Sequence, residues 1–373
     1  MKKYLSAILI LGCLVLVVSS ASAADGYGAV SKYGTKAYGM GGAFSAIADD
    51  ASAVYWNPAG LTQSSFVGLQ TSGGGQMDRD EIEDIADFID AVEEIDNQNL
   101  SDVEKIAELE KLKLPSNASA NMNGMMAFNF KSFALAGVFD SQFDFAGSKE
   151  TIYNSDLPYD LPQDSYELPK GDANNFLSGQ GIVGWGTKVI DPPVLGSLSL
   201  GVSGKYLYAR KDTAIASIDK DTGDVTAEYN EGEDDTGLGA DIGALATLTD
   251  TDVLNVKAAA TVKNVVNTMD MDVDSFDRRT TLGGGVTFKL PAIDAFSTRL
   301  AADLEMPEDG ADITRLGFEG RLGVFSVRAG TYDSDDLEDA VYTGGVGFNL
   351  PFIDFNLTMD SEDYVSASGT LNF

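Results

Sequence analysis

Histidine is missing from all 373 residues, cysteine occurs once, and basic side chains are outnumbered by acidic ones, 25 against 58. Each shortage closes off a class of chemistry. Without histidine there is no serine–histidine triad, no histidine-ligated zinc and no imidazole base. The single cysteine, Cys13, lies in a leader-like N-terminus, so the exported chain is expected to carry no thiol nucleophile and no disulfide. A formal charge of −33 repels phosphate, which argues against nucleic acid and against tight docking on anionic headgroups. Long apolar helices are also lacking after residue 120.

The first residues read as an export signal. "MKK" is a basic start, "LSAILILGCLVLVV" an apolar run too short for a stable span, and "ASA" a small-residue cleavage site, which places cleavage after Ala23. Cys13 follows "ILG", a faint lipoprotein-like box, but cleavage there would leave "LVLVV" at the mature end. Loss of Lys2 and Lys3 takes the charge to −35.

What the chain has in abundance is alternation. Val365, Ala367, Gly369, Leu371 and Phe373 interleave with Tyr364, Ser366, Ser368, Thr370 and Asn372, and similar runs surround Leu316 and Val256. This is the period of a strand with one apolar and one polar face. Such runs, roughly 8 to 15 residues long, exceed the usual soluble strand and carry charges and glycines on the polar side. Fourteen can be counted, at 66–72, 121–131, 133–145, 176–190, 197–211, 236–248, 253–267, 278–290, 297–306, 312–322, 324–333, 339–350, 353–360 and 364–373. Connections alternate between tight turns such as "KS" and "LGV" and long acidic stretches such as 146–175 and 212–235. The expectation is all-β: a transmembrane antiparallel barrel of about 14 strands in the outer membrane, surrounded by lipid.

Residues 78–113 break the period. Ile82, Ile85, Ile89 and Val92 recur at three and four residues, and "SDVE" from Ser101 to Glu104 is a capping box for a second helix that Pro115 ends. An acidic helical hairpin inserted in the first extracellular loop is predicted, either a plain surface feature or a docking surface.

The stretch "GMGGAFSAIADDASAVYWNPAGL", residues 39–61, is small, glycine-rich and nearly neutral. A barrel of this girth leaks unless its lumen is filled, and residues 24–65 are the natural filling, a hatch preceding a barrel of residues 66–373. Gly39, Gly41 and Gly42 permit tight turns and close approach; "AIADDASA" suits a short helix; Asn57 suits a cap, with Pro58 and Ala59 in the turn after it. "GMGG" lacks the preceding strand and the third glycine of a dinucleotide loop. No cofactor or metal is expected. "DKDTGD" at 219–224 resembles a calcium loop with its glycine one place early, and its β-forming flanks favour a hairpin turn.

Turning each apolar face outward points Lys131, Lys188, Lys257, Lys289, Arg299, Arg321 and Arg328 into the lumen at its periplasmic half, with Glu319 among them and Asp140, Asp144, Asp241, Asp303 and Asp360 nearer the outer mouth. The expectation is a basic ring that holds Asp49 and Asp50 of the hatch by charge-assisted hydrogen bonds, for which an anionic solute could compete.

Residues 39–61 resemble the N-terminal hatch of the FadL-type outer-membrane transport barrels, in their glycine-rich run, "ADD" and "NPA". The acidic helical insert is more similar to the TraF-like group named after a plasmid-transfer gene, and PorV-type barrels of type IX secretion share a similar opening. The resemblance implies 14 strands, passive uptake of hydrophobic compounds, and hatch roles for Asn57, Pro58 and Ala59. The chain departs from it in having polar outer loops where apolar ones are implied. Two functions follow: passive entry of small hydrophobic or amphipathic molecules, anionic ones included, or a non-transporting adaptor that holds a partner of a secretion or conjugal-transfer machine. Catalysis is not expected. Phe373, a C-terminal aromatic on an alternating strand, resembles the signal read by the barrel-assembly machinery. Deleting it should lower the yield of folded barrel; normal yield and normal heat-modifiable migration of the truncated chain would contradict this.

Overall fold

The computed structural model describes residues 31–77, 79–98, 100–113, 117–153, 163–191, 196–218, 225–271, 273, 276–290 and 296–373. The expected signal sequence with its cleavage after Ala23, the "DKDTGD" stretch and Pro115 lie outside them. Fourteen strands follow in order: β1 (Val67–Met77), β2 (Ala118–Phe130), β3 (Phe133–Tyr153), β4 (Ser165–Ile190), β5 (Ser197–Ile218), β6 (Val225–Asp250), β7 (Leu254–Asn267), β8 (Arg279–Lys289), β9 (Phe296–Pro307), β10 (Ile313–Leu322), β11 (Phe325–Ser334), β12 (Val341–Asn349), β13 (Ile353–Asp360) and β14 (Val365–Asn372). Each pairs antiparallel with the next, and β14 returns to β1 with Gly68 opposite Asn372 and Gly75 opposite Val365. The sheet is therefore a closed barrel without a free edge.

Alternation decides which side of the wall each residue takes. Leu300, Leu316, Val327, Val346 and Leu357 are exposed on the outer face, while Ser326, Arg328, Thr358, Ser366 and Thr370 are buried inside. Phenylalanines crowd the short-turn rim of the outer face, at Phe66, Phe130, Phe325, Phe352 and Phe373, and Tyr206 and Tyr342 stand toward the other rim. The C-terminus locks the seam: Phe373 stacks on Phe352 at 6.0 Å, its N–H donates to Val67 O at 2.7 Å, and its own carbonyl accepts from Val67 N at 2.9 Å.

Two expected acidic loops prove to be mostly strand. β3 and β4 run on together to Tyr153 opposite Ser165, and β5 and β6 to Ile218 opposite Val225. Hydrophobic alternation marks only wall that has an apolar side. Beyond the apolar belt the alternation breaks up: Ser148 faces Lys170, and the apolar residues that remain, Ile152, Tyr166 and Leu168, are few, so the pairing continues while its signature fades.

The helical insert forms α3 (Arg79–Asn97) and α4 (Asp102–Leu109). Its capping box is complete: Glu104 accepts from the N–H of Ser101 at 2.9 Å and from its hydroxyl at 2.7 Å, bonds that hold the Glu104 carboxyl below the usual carboxylate range. Ile85 is buried, and Ile95, Ile106 and Leu109 pack against Ile152, Tyr166 and Leu168 on the β3–β4 extension. Among the described residues, Val92 of the apolar stripe and Ile95, Ile106 and Leu109 beyond it are thus used within the chain.

Residues 31–64 lie inside the barrel as α1 (Thr35–Tyr38), α2 (Ala53–Trp56) and a 3₁₀ helix (Pro58–Gln63). "AIADDASA" is a series of turns rather than the expected helix. Asp50 accepts from the Ser52 N–H at 3.0 Å and from its hydroxyl, local bonds that compete with helical ones.

Removing residues 79–112 and joining β1 to β2 by a short turn should leave a folded barrel, since loop length costs stability slowly. The cut uncovers Ile152, Tyr166 and Leu168, so the truncated barrel should bind more of a surface-hydrophobicity dye while keeping its heat-modifiable migration. Failure to fold would show that the helices belong to the barrel core.

Candidate functional site: a filled barrel lumen

The N-terminal segment meets every strand of the wall. Met125, Val138 and Ile182 of β2 to β4 share its apolar core, and Thr62 bonds Ser199 of β5 at 2.9 Å. Asn57 reaches β6, Lys257 of β7 meets Gln63, and Asp303 of β9 meets Ser45. Gly41 N donates to Thr343 of β12 at 3.1 Å, and Thr35 bonds Thr358 of β13 and Ser366 of β14 at 2.9 and 2.6 Å. Backbone packing completes the circuit: Gly34 lies against Gln70 of β1, Ile47 against Gly285 of β8, and Met40 and Gly41 against Gly317 and Gly330 of β10 and β11.

Two rows of wall glycines make this close fit possible. Gly186, Gly201 and Gly243 stand side by side across β4, β5 and β6 and form a seat for Asn57–Pro58–Ala59. A Cβ on Gly201 would fall 2.2 Å from Ala59 N. Gly317 and Gly330 pair across β10 and β11 beneath Met40–Gly41, where a Cβ on Gly330 would fall 2.1 Å from Gly41 N. Gly41 and Gly42, with φ of 64° and 74°, turn the chain over that second seat, whereas Gly39 is helical at −61°. The glycine-rich and "NPA" motifs of the segment each match a glycine row in the wall. Sequence reading registered the wall glycines only as lumen-compatible residues; their recurrence at inward positions of neighbouring strands was the available signal.

Asn57 is the best-connected residue of the segment. Its Oδ1 accepts from Ala59 N at 3.0 Å as cap of the 3₁₀ helix, and its Nδ2 donates to Ser45 O at 2.9 Å and to Ala244 O of β6 at 3.2 Å. Inside the segment, Tyr33, Phe44, Tyr55 and Trp56 form edge-to-face pairs at 5.0 to 6.2 Å, and Trp56 Nε1 donates to Tyr33 O at 3.2 Å. The Lys263 ammonium of β7 caps this cluster, 3.9 Å from the Tyr55 ring centre and 5.0 Å from that of Trp56.

The expected basic ring is not a ring. Lys257, Arg299 and Arg328 lie inside; Arg299 Nη1 is 2.8 Å from Asp49, and Lys257 donates to Gln63. Arg328 is buried and donates to Glu319 at 2.7 Å and to Asn356 at 2.9 Å. Lys131 instead occupies the β2–β3 turn, its ammonium over Phe66 and Phe130. Lys188 is exposed beside Asp191 at 3.7 Å, Lys289 is exposed, and Arg321 is exposed with Nε on Gly323 O at 3.2 Å. Alternation reports which side of the wall a residue faces but not its depth, and these four stand at the short-turn rim, in water. Asp49's nearest cation is one the ring did not include, Lys36 of the segment itself, at 2.5 Å. Asp50 is 3.7 Å from Lys36 and serves mainly as the local turn residue described above. Lys36, Asp49, Arg299, Glu319, Arg321 and Asp354 surround a polar cavity of ≈ 250 Å³ at this end.

On the long-loop side a second buried network takes over. Asp303 receives the N–H groups of Phe44 and Ser45 at 3.0 and 2.9 Å, Lys205 pairs with Asp241 at 2.7 Å, and Glu305 lies between Arg279 and Arg315 at 3.1 and 3.4 Å. Beside it the loop after β7 folds inward. Val273 and Phe276 are buried with Leu207 and Ala209 of β5, and Met269, Met271 and Phe176 pack on them. Asp235 fixes this loop by accepting the N–H groups of Asp270 and Met271 at 2.7 and 2.8 Å. In this otherwise acidic loop, Met269, Met271 and Val273 at every second place are the local sign of a buried face.

No protein-family model matches the chain, and no curated protein matches it. Among solved structures, the chain is similar to the toluene transporter TodX of P. putida, with 10% identity, 91% of this chain and 98% of that one covered, and a TM-score of 0.49. It is similar to the toluene transporter TbuX of Ralstonia pickettii at 11% identity, covering 90% and 96%, with a TM-score of 0.43. A triple mutant of Rhodopseudomonas blastica porin gives 11%, 82% and 99%, and 0.28.

Asn57→Ala should leave a cap, a segment carbonyl and a wall carbonyl unpaired and weaken seating of the segment by about 1–3 kcal/mol. Amide hydrogen exchange over residues 40–62 should accelerate while the wall strands stay protected; unchanged exchange would show that the glycine seats alone hold the segment.

Proposed function

We propose that the chain is a passive outer-membrane channel for small hydrophobic or amphipathic molecules, with residues 31–64 as its hatch and the long-loop rim facing outward. The observation that carries this reading is how the segment is held. Among the described residues its backbone–backbone hydrogen bonds run within itself up to Ser64, and its ties to the wall use side chains or single backbone groups. Displacing it breaks no strand pairing, so the wall can stay closed while the lumen opens. The apolar outer face between aromatic rims supports a membrane setting, and the FadL-like "GMGG", "ADD" and "NPA" residues are those that meet the wall.

The route has two chemically distinct ends. At the outer end, Met269, Met271, Val273 and Phe276 offer a soft apolar surface over Phe176 and Leu207, suited to an apolar body. At the inner end the polar cavity presents Lys36 and Arg299, where an anionic head group competes with Asp49. No residue is assigned a catalytic role.

Asp49→Asn removes the charge shared by Lys36 and Arg299. Closure should weaken by about 1–3 kcal/mol, which is about 5- to 150-fold in the open fraction. Conductance in planar bilayers and entry of an apolar dye into proteoliposomes should both rise. Unchanged conductance and dye entry in a correctly folded Asp49→Asn barrel would remove the hatch from this reading.

A further inference from the structure

At the outer end of the segment stands a cluster that neither the channel wall nor the Asp49 lock requires. Lys32 is buried at 6% exposure, with its Nζ 4.7 Å from the ring centre of Tyr364 and 5.7 Å from that of Tyr38. Asp360 Oδ2 lies 3.6 Å from the same nitrogen. That carboxylate is itself fixed, accepting the N–H groups of Glu362 and Tyr364 at 2.9 and 3.0 Å and the hydroxyl of Tyr38. Tyr364 is held in turn by its bond to Asn123 at 2.9 Å, and Tyr38 lies 3.2 Å from the Tyr332 hydroxyl. Glu362 and Asp140 also act on the Lys32 charge, and each has one buried carboxylate oxygen without a hydrogen-bond partner among the described residues.

Two ring faces and the Asp360 carboxylate beside one nitrogen make a cage for a cation; they would repel an anion and leave a neutral molecule's advantage small. Ile313, Val341 and Leu337 pack around the rings, of which Tyr364 adjoins β14 of the wall and Tyr38 belongs to the segment itself. The approach carries the same sign. The connections nearest the cage hold Glu308, Asp309 and Asp312 after β9, Asp335, Asp336, Glu338 and Asp339 after β11, and Glu362 and Asp363 after β13. A field of that sign gathers cations at the outer mouth. Lys32 is thus a cation already seated in a cation site, tethered by the segment that fills the lumen.

We propose that this cage is a binding site for an organic ammonium with a small apolar body, and that Lys32 is its built-in occupant. A solute amine that replaces the Lys32 ammonium frees the outer end of the segment, just as loss of Asp49 frees the inner end; this rests on the hatch reading above. A tethered occupant competes at high effective concentration, so the wild-type chain should respond only to much amine, and removing the lysine should expose the site.

The test uses the full exported chain with n-butylammonium as probe and butyrate as its size-matched anion. Lys32→Ala should bind n-butylammonium saturably, followed by calorimetry and tyrosine fluorescence, at least about 10-fold more tightly than wild type, and should not bind butyrate. Lys32→Met, which fills the space without the charge, guards against loss of fold and should bind the amine less tightly than Lys32→Ala. Asp360→Asn in the Lys32→Ala background should abolish binding. In bilayers, n-butylammonium should raise wild-type conductance and leave Lys32→Ala, already more open, unaffected. Equal affinity of both lysine variants for the amine and for butyrate, or none for either, overturns the cage. If Asp49→Asn still opens the channel in that case, the hatch reading survives the loss of the cage. Amine binding to the variants with no change in wild-type conductance overturns the coupling to the segment.

Discussion

Fourteen strands closed on themselves enclose more space than the wall's own side chains can fill, and the rest of the structure follows from how that space is taken up. Larger wall side chains would fill it permanently. Here the wall does the reverse, presenting glycine at Gly186, Gly201 and Gly243 and again at Gly317 and Gly330, so that a separate piece of backbone can come within contact distance. The small, nearly neutral composition of residues 39–61 is the counterpart of those rows. A bulky residue on either surface would force the other away, which couples "GMGG" and "NPA" to glycines more than 100 positions further along the chain.

Close approach excludes water, and exclusion sets the electrostatics. Polar groups carried inward must find partners within the lumen. Asp49 finds Lys36 and Arg299; Asp303 finds the Phe44 and Ser45 amides; Glu305 finds Arg279 and Arg315. These pairs place Lys36, Arg279, Arg299 and Arg315 in the interior, while the connections at the long rim are strongly acidic. The large negative charge of the chain is therefore a property of its outer connections more than of its interior, and it is compatible with a lumen that holds several buried arginines.

How much of this was legible depended on whether a residue's partner lay close in sequence or across the barrel. The strands of the wall could be read from alternation, and Ser101 with Glu104, or Asn57 with Ala59, from local hydrogen-bond chemistry, because each pattern is complete within a few residues. The extensions of β5 and β6 were legible only as the β-forming flanks of residues 219–224, and those of β3 and β4 not at all, since Ile152, Tyr166 and Leu168 are too few to form a long alternation. The depth of Lys131, Lys188, Lys289 and Arg321 was not legible either, because alternation has no coordinate along the strand beyond its ends. Lys36 and Lys32 carry no local pattern that marks them. Their partners, Asp49 and Arg299 for the one and Asp360 and Tyr364 for the other, are brought to them only by barrel closure. The glycine rows are of the same kind, visible once the register is known.

The balance between holding the segment and letting it go rests on where its apolar contacts lie. Tyr33, Phe44, Tyr55 and Trp56 pack on one another but share their core with Met125, Val138 and Ile182 of the wall, and Tyr38 packs on Tyr332 and Tyr364. Release of the segment therefore breaks these apolar contacts as well as a set of separate polar ties: Asp49 with Arg299, Asn57 with Ala244, Thr35 with Thr358 and Ser366, Lys32 with Asp360. Each is modest alone, of the order of 1–3 kcal/mol where a charge is involved. Together they exceed thermal energy severalfold, so the lumen stays filled at rest. A solute that replaces one tie with its own charge lowers the cost of breaking the rest.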